Sequence, residues 1–265
     1  MTQKKTTAAQ KPLASASVVI TRPVGAAGTL PEKIRRLGGR PVQLPGLSLR
    51  ATEDVDAVVP SLRRSHGAWA WLFTSPAAVR FAFRLLPSLR VPRRAQVLAV
   101  GQGTARALAR RGIESIVPTE SSTSEGVLAL APLKEVRGRR IVVVGAPGGR
   151  DLIVATLRRR GADVESIHVY RRVPPRLTRR HFDALAAASD PLIVLISSAE
   201  ALANLVVSLA PSLTARLRGQ IVVVSSDRLA GEAKRHGFGE IALARSASAD
   251  DLVAAAAGAL ARHRL

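Results

Sequence analysis

Four short segments of this sequence place hydroxyl groups, a glycine or an arginine between an apolar run and a helical pattern. They are Thr21-Arg22-Pro23, Thr74-Ser75-Pro76, Gly101-Gln102-Gly103-Thr104 and Ser225-Ser226-Asp227. In a parallel sheet such loops meet at the carboxyl edge of the strands, where helix N-termini present unpaired N–H groups to anions. Each helix end contributes only about 0.3–1 kcal/mol, so useful affinity requires a multiply charged ligand. For any single loop, plain N-capping is the alternative interpretation.

The other familiar chemistries fail on inspection. The segment GQGTAR has Arg106 where a dinucleotide fingerprint needs its third glycine, and GAPGGRD lacks the ending of a P-loop. The histidines, at 66, 168, 181, 236 and 263, have no metal-ligand spacing, and no GxSxG elbow occurs. We therefore expect chemistry that uses no metal, no cofactor and no covalent intermediate.

Tyr170 is the only tyrosine in the chain, and it lies at the end of a predicted strand in the segment HVYRR. Its phenol could act as a weak general acid beside Arg171 and Arg172. A packing role, with the hydroxyl in solvent, is the alternative from these residues alone.

The composition indicates an α/β protein. Of the 265 residues 47% are apolar but only 3% are aromatic, so the core must consist of Val, Leu, Ile and Ala, as in buried parallel sheets. No apolar run reaches the roughly 18 residues of a membrane span, and residues 1–17 have charge without a hydrophobic centre. We expect residues 1–17 to be a disordered tail, and the absence of cysteine and of an export signal favours the cytoplasm.

The formal charge of +21 suggests an anionic partner, either nucleic acid or a polyacidic small molecule. Alternatively, arginine doublets such as Arg35-Arg36 and Arg110-Arg111 lie near predicted helix ends, where cations stabilise the helix dipole. Specific nucleic-acid modules interleave basic residues with stacking aromatics, which are scarce here. We expect no specific nucleic-acid partner, while non-specific binding to acidic polymers in dilute salt stays open.

Short apolar runs alternate with helical patterns, as in the βαβ units of a parallel sheet. The predicted strands are Val18–Thr21, Trp69–Phe73, Val97–Val100, Ile141–Val144, Val164–Val169, Leu192–Ile196 and Ile221–Val224. The helical segments TLPEKIRRLGG and DLIVATLRRRGA end at Gly38 and Gly161, each a plausible C-terminal cap.

The sequence also repeats itself. A shift of 123 residues sets Leu72–Ser75 on Leu195–Ser198, and Ile34–Gly38 on Leu157–Gly161. A third pair, VLAVGQGTARALARRGI and VVVSSDRLAGEAKRHGF, nearly keeps this offset if His236 is counted as an extra residue. Three segments in one order favour duplication and two similar α/β domains, with a ligand expected in the crevice between them. The proline-marked segments RPVQLPGLSLRATEDVD and IHVYRRVPPRL are predicted connectors, and periodicity does not tell whether the halves fold in order.

An ordered set of segments resembles the uroporphyrinogen-III synthase family. The set is VVITRP, LFTSPAAVRF, AVGQGTARAL, STSEGVLAL, GGRDLIVATLRRRGADV, VYRR, ISSAEAL and SSDRLAGEAKRHGF, within about residues 18–255. The resemblance implies two flavodoxin-like parallel-sheet domains joined by a two-stranded connector, the second inserted in the first. On this chain the first domain is 18–50 with 172–265, and the inserted domain is 53–168.

The resemblance also implies an activity. Members of this family close the linear tetrapyrrole hydroxymethylbilane to uroporphyrinogen III, inverting the last ring without a cofactor. Tyr170 is then the expected catalytic acid, in the cleft between the domains. The expected substrate-binding residues are Arg22, Thr74, Ser75, Gly101, Thr104, Ser124, Gly149, Arg150, Ser197, Ser198, Ser225 and Arg228. The polycarboxylate substrate is the expected partner, with no membrane and with the chain a monomer.

The chain departs from the family pattern at two places. Gly145 stands where relatives often carry arginine, which puts one carboxylate contact in doubt, and ISS replaces the commoner FTS at Ile196. Two rival hypotheses remain: a non-catalytic two-domain protein that binds small anions, and a basic nucleic-acid-binding protein.

Overall fold

The computed structural model describes residues 11–119, 123–148 and 151–263. The chain forms two compact units, here called unit 1 and unit 2. Unit 1 comprises the described residues within Met1–Ser48 and Val173–Leu265, and unit 2 comprises those within Leu49–Arg172.

The chain alternates strands and helices. The strands are β1 (Ser17–Ile20), β2 (Arg40–Gln43), β3 (Ser48–Ala51), β4 (Ala70–Phe73), β5 (Gln96–Ala99), β6 (Arg140–Gly145), β7 (Asp163–His168), β8 (Tyr170–Val173), β9 (Leu192–Ile196), β10 (Ile221–Val224) and β11 (Ile241–Leu243). The α-helices are α1 (Leu30–Arg36), α2 (Val55–Arg64), α3 (Pro76–Leu85), α4 (Gln102–Ala109), α5 (Ser124–Leu128), α6 (Asp151–Arg159), α7 (Arg179–Ala186), α8 (Ala199–Ser208), α9 (Pro211–Arg218), α10 (Asp227–Arg235) and α11 (Ala249–His263). Short 3-10 turns occupy Ser65–Gly67 and Ala131–Leu133.

Unit 1 is a parallel five-stranded sheet in the order β2-β1-β9-β10-β11, with helices on both faces. Alternate strand residues face opposite layers. Val18 and Ile20 pack with α1 and α11, while Val19 and Val194 pack with α8 and α10. Burial on both faces explains why the central strands are continuous apolar runs.

Unit 2 has a parallel four-stranded sheet in the order β5-β4-β6-β7. One face packs Trp71 and Phe73 against α2, α3 and α4, and the other packs Leu72 and Val143 against α5 and α6. An isolated parallel bridge from Leu98 to Ile116 continues the sheet beyond β5. The pair β3 and β8 forms a separate two-stranded sheet at the two points where the chain passes between the units.

The predicted duplication is visible in the pairing register. Ile20 of β1 pairs with Leu195 of β9, and residues 123 positions away, Val143 and Leu72, also pair. Likewise Ser17 pairs with Arg40, and Arg140 pairs with Asp163. The first half of the repeat supplies β1 and β2 to unit 1 but β4 and β5 to unit 2, and the second half does the reverse. Each unit therefore combines strands from both halves.

All seven predicted strands are present, and Gly38 and Gly161 adopt the positive φ of C-terminal caps, +86° and +84°. The predicted extra residue at His236 is wrong. Gln96 pairs with Ala70 and Ile221 with Ile193, so the offset between β5 and β10 is 125 residues and arises before β10.

Two further expectations need correction. The predicted tail 1–17 is wrong for residues 11–17, because Leu13 is fully buried, its N–H donates to Leu37 O, and Ser17 begins β1. Residues 1–10 lie outside the described residues. The segment predicted as a connector contains β2, an edge strand in which Pro41 is tolerated because only β1 pairs with it.

Candidate functional site

Each sheet has a point where successive connections leave in opposite directions. In unit 1 this switch point lies between β1 and β9, and in unit 2 it lies between β4 and β6. Ligands of open α/β sheets bind outside the carboxyl ends of the strands at such points. The hydroxyl-bearing loops singled out in the sequence end at these edges.

At the unit 1 edge, side chains link β1 to β9. Thr21 is buried, and its Oγ1 donates to Leu195 O at 2.7 Å. The neighbouring Arg22 donates from Nε to Ser197 Oγ at 3.4 Å. Gln43, at the end of β2, donates from Nε2 to Arg22 O at 2.8 Å and so fixes the backbone that carries the arginine.

Arg22 also ties down a distant loop, because its Nη2 donates to Ala247 O, before α11. Burial lowers the pKa of Arg22 from its ordinary value, although an arginine stays protonated at neutral pH. Within residues 11–119, 123–148 and 151–263, no carboxylate pairs with this guanidinium. A half-buried cation whose contacts are a hydroxyl and a carbonyl is suited to an anionic ligand.

The serine doublets of unit 1 divide their work. Ser198 caps α8 by accepting from Ala201 N at 3.3 Å, and Ser226 caps α10 by accepting from Leu229 N at 3.4 Å. The first member of each doublet, Ser197 or Ser225, follows its strand and is half-buried. Arg228 lies in the first turn of α10 and is exposed.

At the unit 2 edge, Thr74 and Ser75 show the same division. Thr74 Oγ1 donates to Val144 O at 3.1 Å, and Ser75 caps α3 by accepting from Ala78 N at 3.0 Å. Ser75 Oγ also lies 3.1 Å from Tyr170 OH. The Tyr170 ring is buried and stacks on Phe81 with centroids 5.4 Å apart, so helix α3 holds the phenol at both ends.

A groove of about 350 Å³ begins beside Thr74 and Gly145 and runs between α6 and the strands β6 and β7. Gly145 is 123 residues from Arg22, and Thr74 is 123 residues from Ser197, so the two pairs are equivalent in the repeat. A Cβ on Gly145 would lie only 2.4 Å from Thr74 Oγ1. Thr74 therefore excludes a side chain at the place that holds Arg22 in the other copy.

The remaining predicted residues are less favourably placed. Gly101 caps α4 with an extended backbone and is buried, and Thr104 is only 3% exposed, so little of it can meet a ligand in this conformation. Ser124 is the first residue of α5, but the cap is Thr123, whose Oγ1 accepts from Gly126 N at 3.2 Å. Gly149 and Arg150 lie outside the described residues.

Sequence reasoning missed Gln43 and the loop that Arg22 reaches. That loop is built by Asp251, which accepts from Ser246 Oγ at 2.6 Å and Ser248 Oγ at 3.0 Å. These hydrogen bonds lower the pKa of Asp251, with a smaller contribution from Arg245. A serine repeat two and five residues before an aspartate is the signal that could have revealed it.

The part of the chain that the structure describes contains no group of three or more His, Asp or Glu side chains arranged to hold a metal ion. None of its described helices is long and apolar enough to cross a membrane.

Comparison with known proteins gives consistent matches. The model of the family described as uroporphyrinogen-III synthase HemD matches residues 28–254. Uroporphyrinogen-III synthase of Proteus mirabilis is 30% identical over 161 residues, 59% of this chain and 80% of that protein. The Escherichia coli K12 protein of the same name is 29% identical over 245 residues, 90% of this chain and 99% of its own. The crystal structure of uroporphyrinogen-III synthetase from Helicobacter pylori 26695 covers 92% of this chain and 99% of its own at a TM-score of 0.59 and 13% identity, a likeness of fold.

Proposed function

This chain belongs to the uroporphyrinogen-III synthase family, cofactor-independent cyclising lyases that convert hydroxymethylbilane to uroporphyrinogen III in tetrapyrrole biosynthesis, and we propose how its own residues take part. The observation that carries the proposal is Arg22, a half-buried guanidinium at the unit 1 switch point with a serine and a carbonyl as its contacts.

We propose that the substrate's carboxylates bind at the carboxyl edges of the two sheets. Hydroxymethylbilane carries an acetate and a propionate on every ring, so it is the multiply charged ligand that weak individual contacts require. In unit 1 the donors are Arg22, Ser197 and the first N–H groups of α8. In unit 2 the corresponding donors are the start of α3 and the Ser75 hydroxyl, when it is not donating to Tyr170.

Tyr170 is proposed to donate its proton to the hydroxyl that leaves. The hydroxymethyl carbon then loses water, and the electron pair of the pyrrole nitrogen forms an electrophilic azafulvene. The substituted carbon of the last ring attacks this carbon to give a spiro intermediate, which fragments and closes again with the ring inverted. A phenol carries its proton at neutral pH, and Ser75 is the group from which the phenol can regain a proton or by which it is oriented.

The remaining task is orientation. Unassisted closure gives the uninverted isomer, so the protein must hold a folded substrate conformer in which the last ring presents its substituted carbon. Donors fixed by N-capping and by strand-to-strand hydrogen bonds suit this task, because they need little rearrangement when the substrate binds.

We also propose that both units are flavodoxin-like and that unit 2 is the inserted domain. Support comes from the strand order of unit 1, which is 2-1-3-4-5 when its strands are numbered within the unit. Unit 2 keeps the first four positions of that order, 2-1-3-4.

The test is incubation of the protein with enzymatically generated hydroxymethylbilane and no added metal or nucleotide, followed by chromatographic separation of the oxidised porphyrin isomers. The expected product is mainly the type III isomer. An isomer ratio equal to that of the protein-free control would show that the chain does not catalyse this reaction.

A further inference from the structure

One feature of unit 2 has no part in the proposed reaction: a long stretch of sequence without acidic residues. Residues 57–113 contain ten arginines and no lysine, aspartate or glutamate. All ten arginines are exposed, so each adds positive charge to the surface.

Eight of these arginines gather at one edge of the unit. Helices of a parallel sheet run opposite to its strands, so their carboxyl ends lie at the amino edge of the sheet. The eight are the pairs 63–64, 93–94 and 110–111 with Arg84 and Arg90, at the ends of α2, α3 and α4 and in the loop before β5. This edge is opposite to the edge that bears Thr74, Ser75 and Tyr170.

A second group of cations meets the same edge from the other helical layer. Lys134, Arg137, Arg139 and Arg160 line a cavity of about 460 Å³ at the start of β6, with Glu135 as its one acidic lining residue. Arg160 is held there by bonds from Nη1 to Leu128 O and Leu133 O. We call the eight arginines and these four cations the basic pole.

The pole is not neutralised by nearby acids. The carboxylates at this edge are Glu114, Glu135 and Asp163, since Glu165 is engaged by Arg140 at 2.8 Å. In the portion of the chain that the structure covers, no member of the pole forms an ion pair. Helix dipoles do not explain this arrangement, because the 90–94 and 134–139 segments are loops and one cation at each helix end would be sufficient.

We infer that the basic pole binds the phosphate backbone of nucleic acid without reading its sequence. Guanidinium groups match phosphate in a bidentate geometry, and eleven of the twelve cations are arginines. Phe81 and Phe83 are buried, so the pole offers no aromatic platform for bases. The exposed large apolar residues of the described chain, such as Val55 and Leu152, lie outside the pole, so it lacks the apolar side chains that anchor a membrane-binding surface.

The experiment measures binding of a fluorescently labelled duplex DNA of about 20 base pairs to the full chain over a range of salt concentrations. Log affinity should fall linearly with log salt, with a slope of about −0.9 per phosphate neutralised. The variant Arg90→Gln/Arg93→Gln/Arg94→Gln should lose at least tenfold in affinity at low salt and show a shallower slope by about 2. Arg137→Gln, tested alone, should weaken binding about threefold, a loss of one phosphate contact.

The matched control is Arg35→Gln/Arg36→Gln/Arg180→Gln, which removes the same charge from exposed positions of unit 1. It should change the affinity less than twofold. Equal losses in the two triple variants would overturn the proposal, because binding would then follow net charge alone.

Two competitors test the chemistry of the ligand. Polyglutamate and phosphatidylserine vesicles, at the same concentration of negative charge, should displace the labelled duplex at least tenfold less effectively than unlabelled duplex. Displacement equal to that by DNA would overturn the choice of nucleic-acid phosphate. Both triple variants should keep wild-type production of the type III isomer, so failure of DNA binding leaves the enzymatic proposal standing.

Discussion

Tyr170 OH lies 3.1 Å from Ser75 Oγ, the same oxygen that accepts the capping hydrogen bond from Ala78 N. The phenol is therefore tied to the start of α3, and its ring is stacked on Phe81 of the same helix. A tyrosine held in this way can present its hydroxyl in one orientation, which is what a proton donor requires and what a packing residue does not.

The first prediction concerns Tyr170→Phe. Turnover should fall at least tenfold, because general acid assistance is typically worth about 10² to 10⁴ in rate. The free energy of unfolding should fall by less than about 1.5 kcal/mol, since the ring stays in place and one hydrogen bond is lost. Steady-state isomer assays and thermal unfolding check both values.

Ser75→Ala is the matched control for that variant. It removes the cap of α3 and should lower stability by about 0.5–2 kcal/mol, yet slow turnover less than Tyr170→Phe does. Full activity of Tyr170→Phe, or activity lost only through unfolding, would make the tyrosine a structural residue.

The second prediction compares two arginines of unit 1. Arg22→Gln should raise KM about tenfold or more, because a hydrogen bond to a charged group contributes about 1.5–3 kcal/mol. Arg228→Gln, in the exposed first turn of α10, should change KM less than threefold. If the two variants have the same KM, Arg22 serves only to hold Ala247.

The third prediction tests the contact between Gly145 and Thr74. Gly145→Ala should lower the free energy of unfolding by about 1–3 kcal/mol, because the added Cβ would lie 2.4 Å from Thr74 Oγ1. In a Thr74→Ala background the same substitution should cost much less. Gly67→Ala is the control, since an added Cβ there meets nothing within 4 Å. Chemical denaturation of the four variants gives the coupling, and independent effects at 74 and 145 would contradict the explanation.

The fourth prediction is a pH dependence. Hydrogen bonds from Ser246 and Ser248 lower the pKa of Asp251, so the folded state favours the carboxylate more than the unfolded state does. This stabilisation is present above the ordinary aspartate pKa and is lost as pH falls through the lower folded value. The stability difference between wild type and Asp251→Asn should thus be largest near pH 7 and shrink below about pH 4. Asp163→Asn, at an exposed position, should show a smaller difference at pH 7, and a gap that grows in acid would refute the assignment.

The central strands were predictable because burial on both faces makes them continuous apolar runs. The short edge strands β2 and β11 were not, since Arg40–Gln43 and Ile241–Leu243 contain too few apolar residues to give a period. Their place is set by pairing with β1 and β10, which is a tertiary effect.

The site was predictable where its signal is local. Hydroxyl doublets after a strand mark N-caps, although the sequence did not say that the second member caps and the first faces the edge. Thr104 was expected to bind but is buried, because it shares the buried stripe of α4 with Leu108. The bond from Arg22 to Ala247 joins residues 225 positions apart, a distance over which no local pattern operates.

The exchange of strands between the halves of the repeat has a consequence for the history and the dissection of the molecule. Because each sheet needs strands from both halves, a fragment ending in the loop before β6 would contain two unfinished sheets and no complete one. Two identical half-length chains, however, could complete each other by trading their strand sets, as in a domain-swapped dimer. In that light the present chain is the covalently fused form of an intertwined homodimer, and its two halves, expressed as separate polypeptides, should fold only when they are mixed.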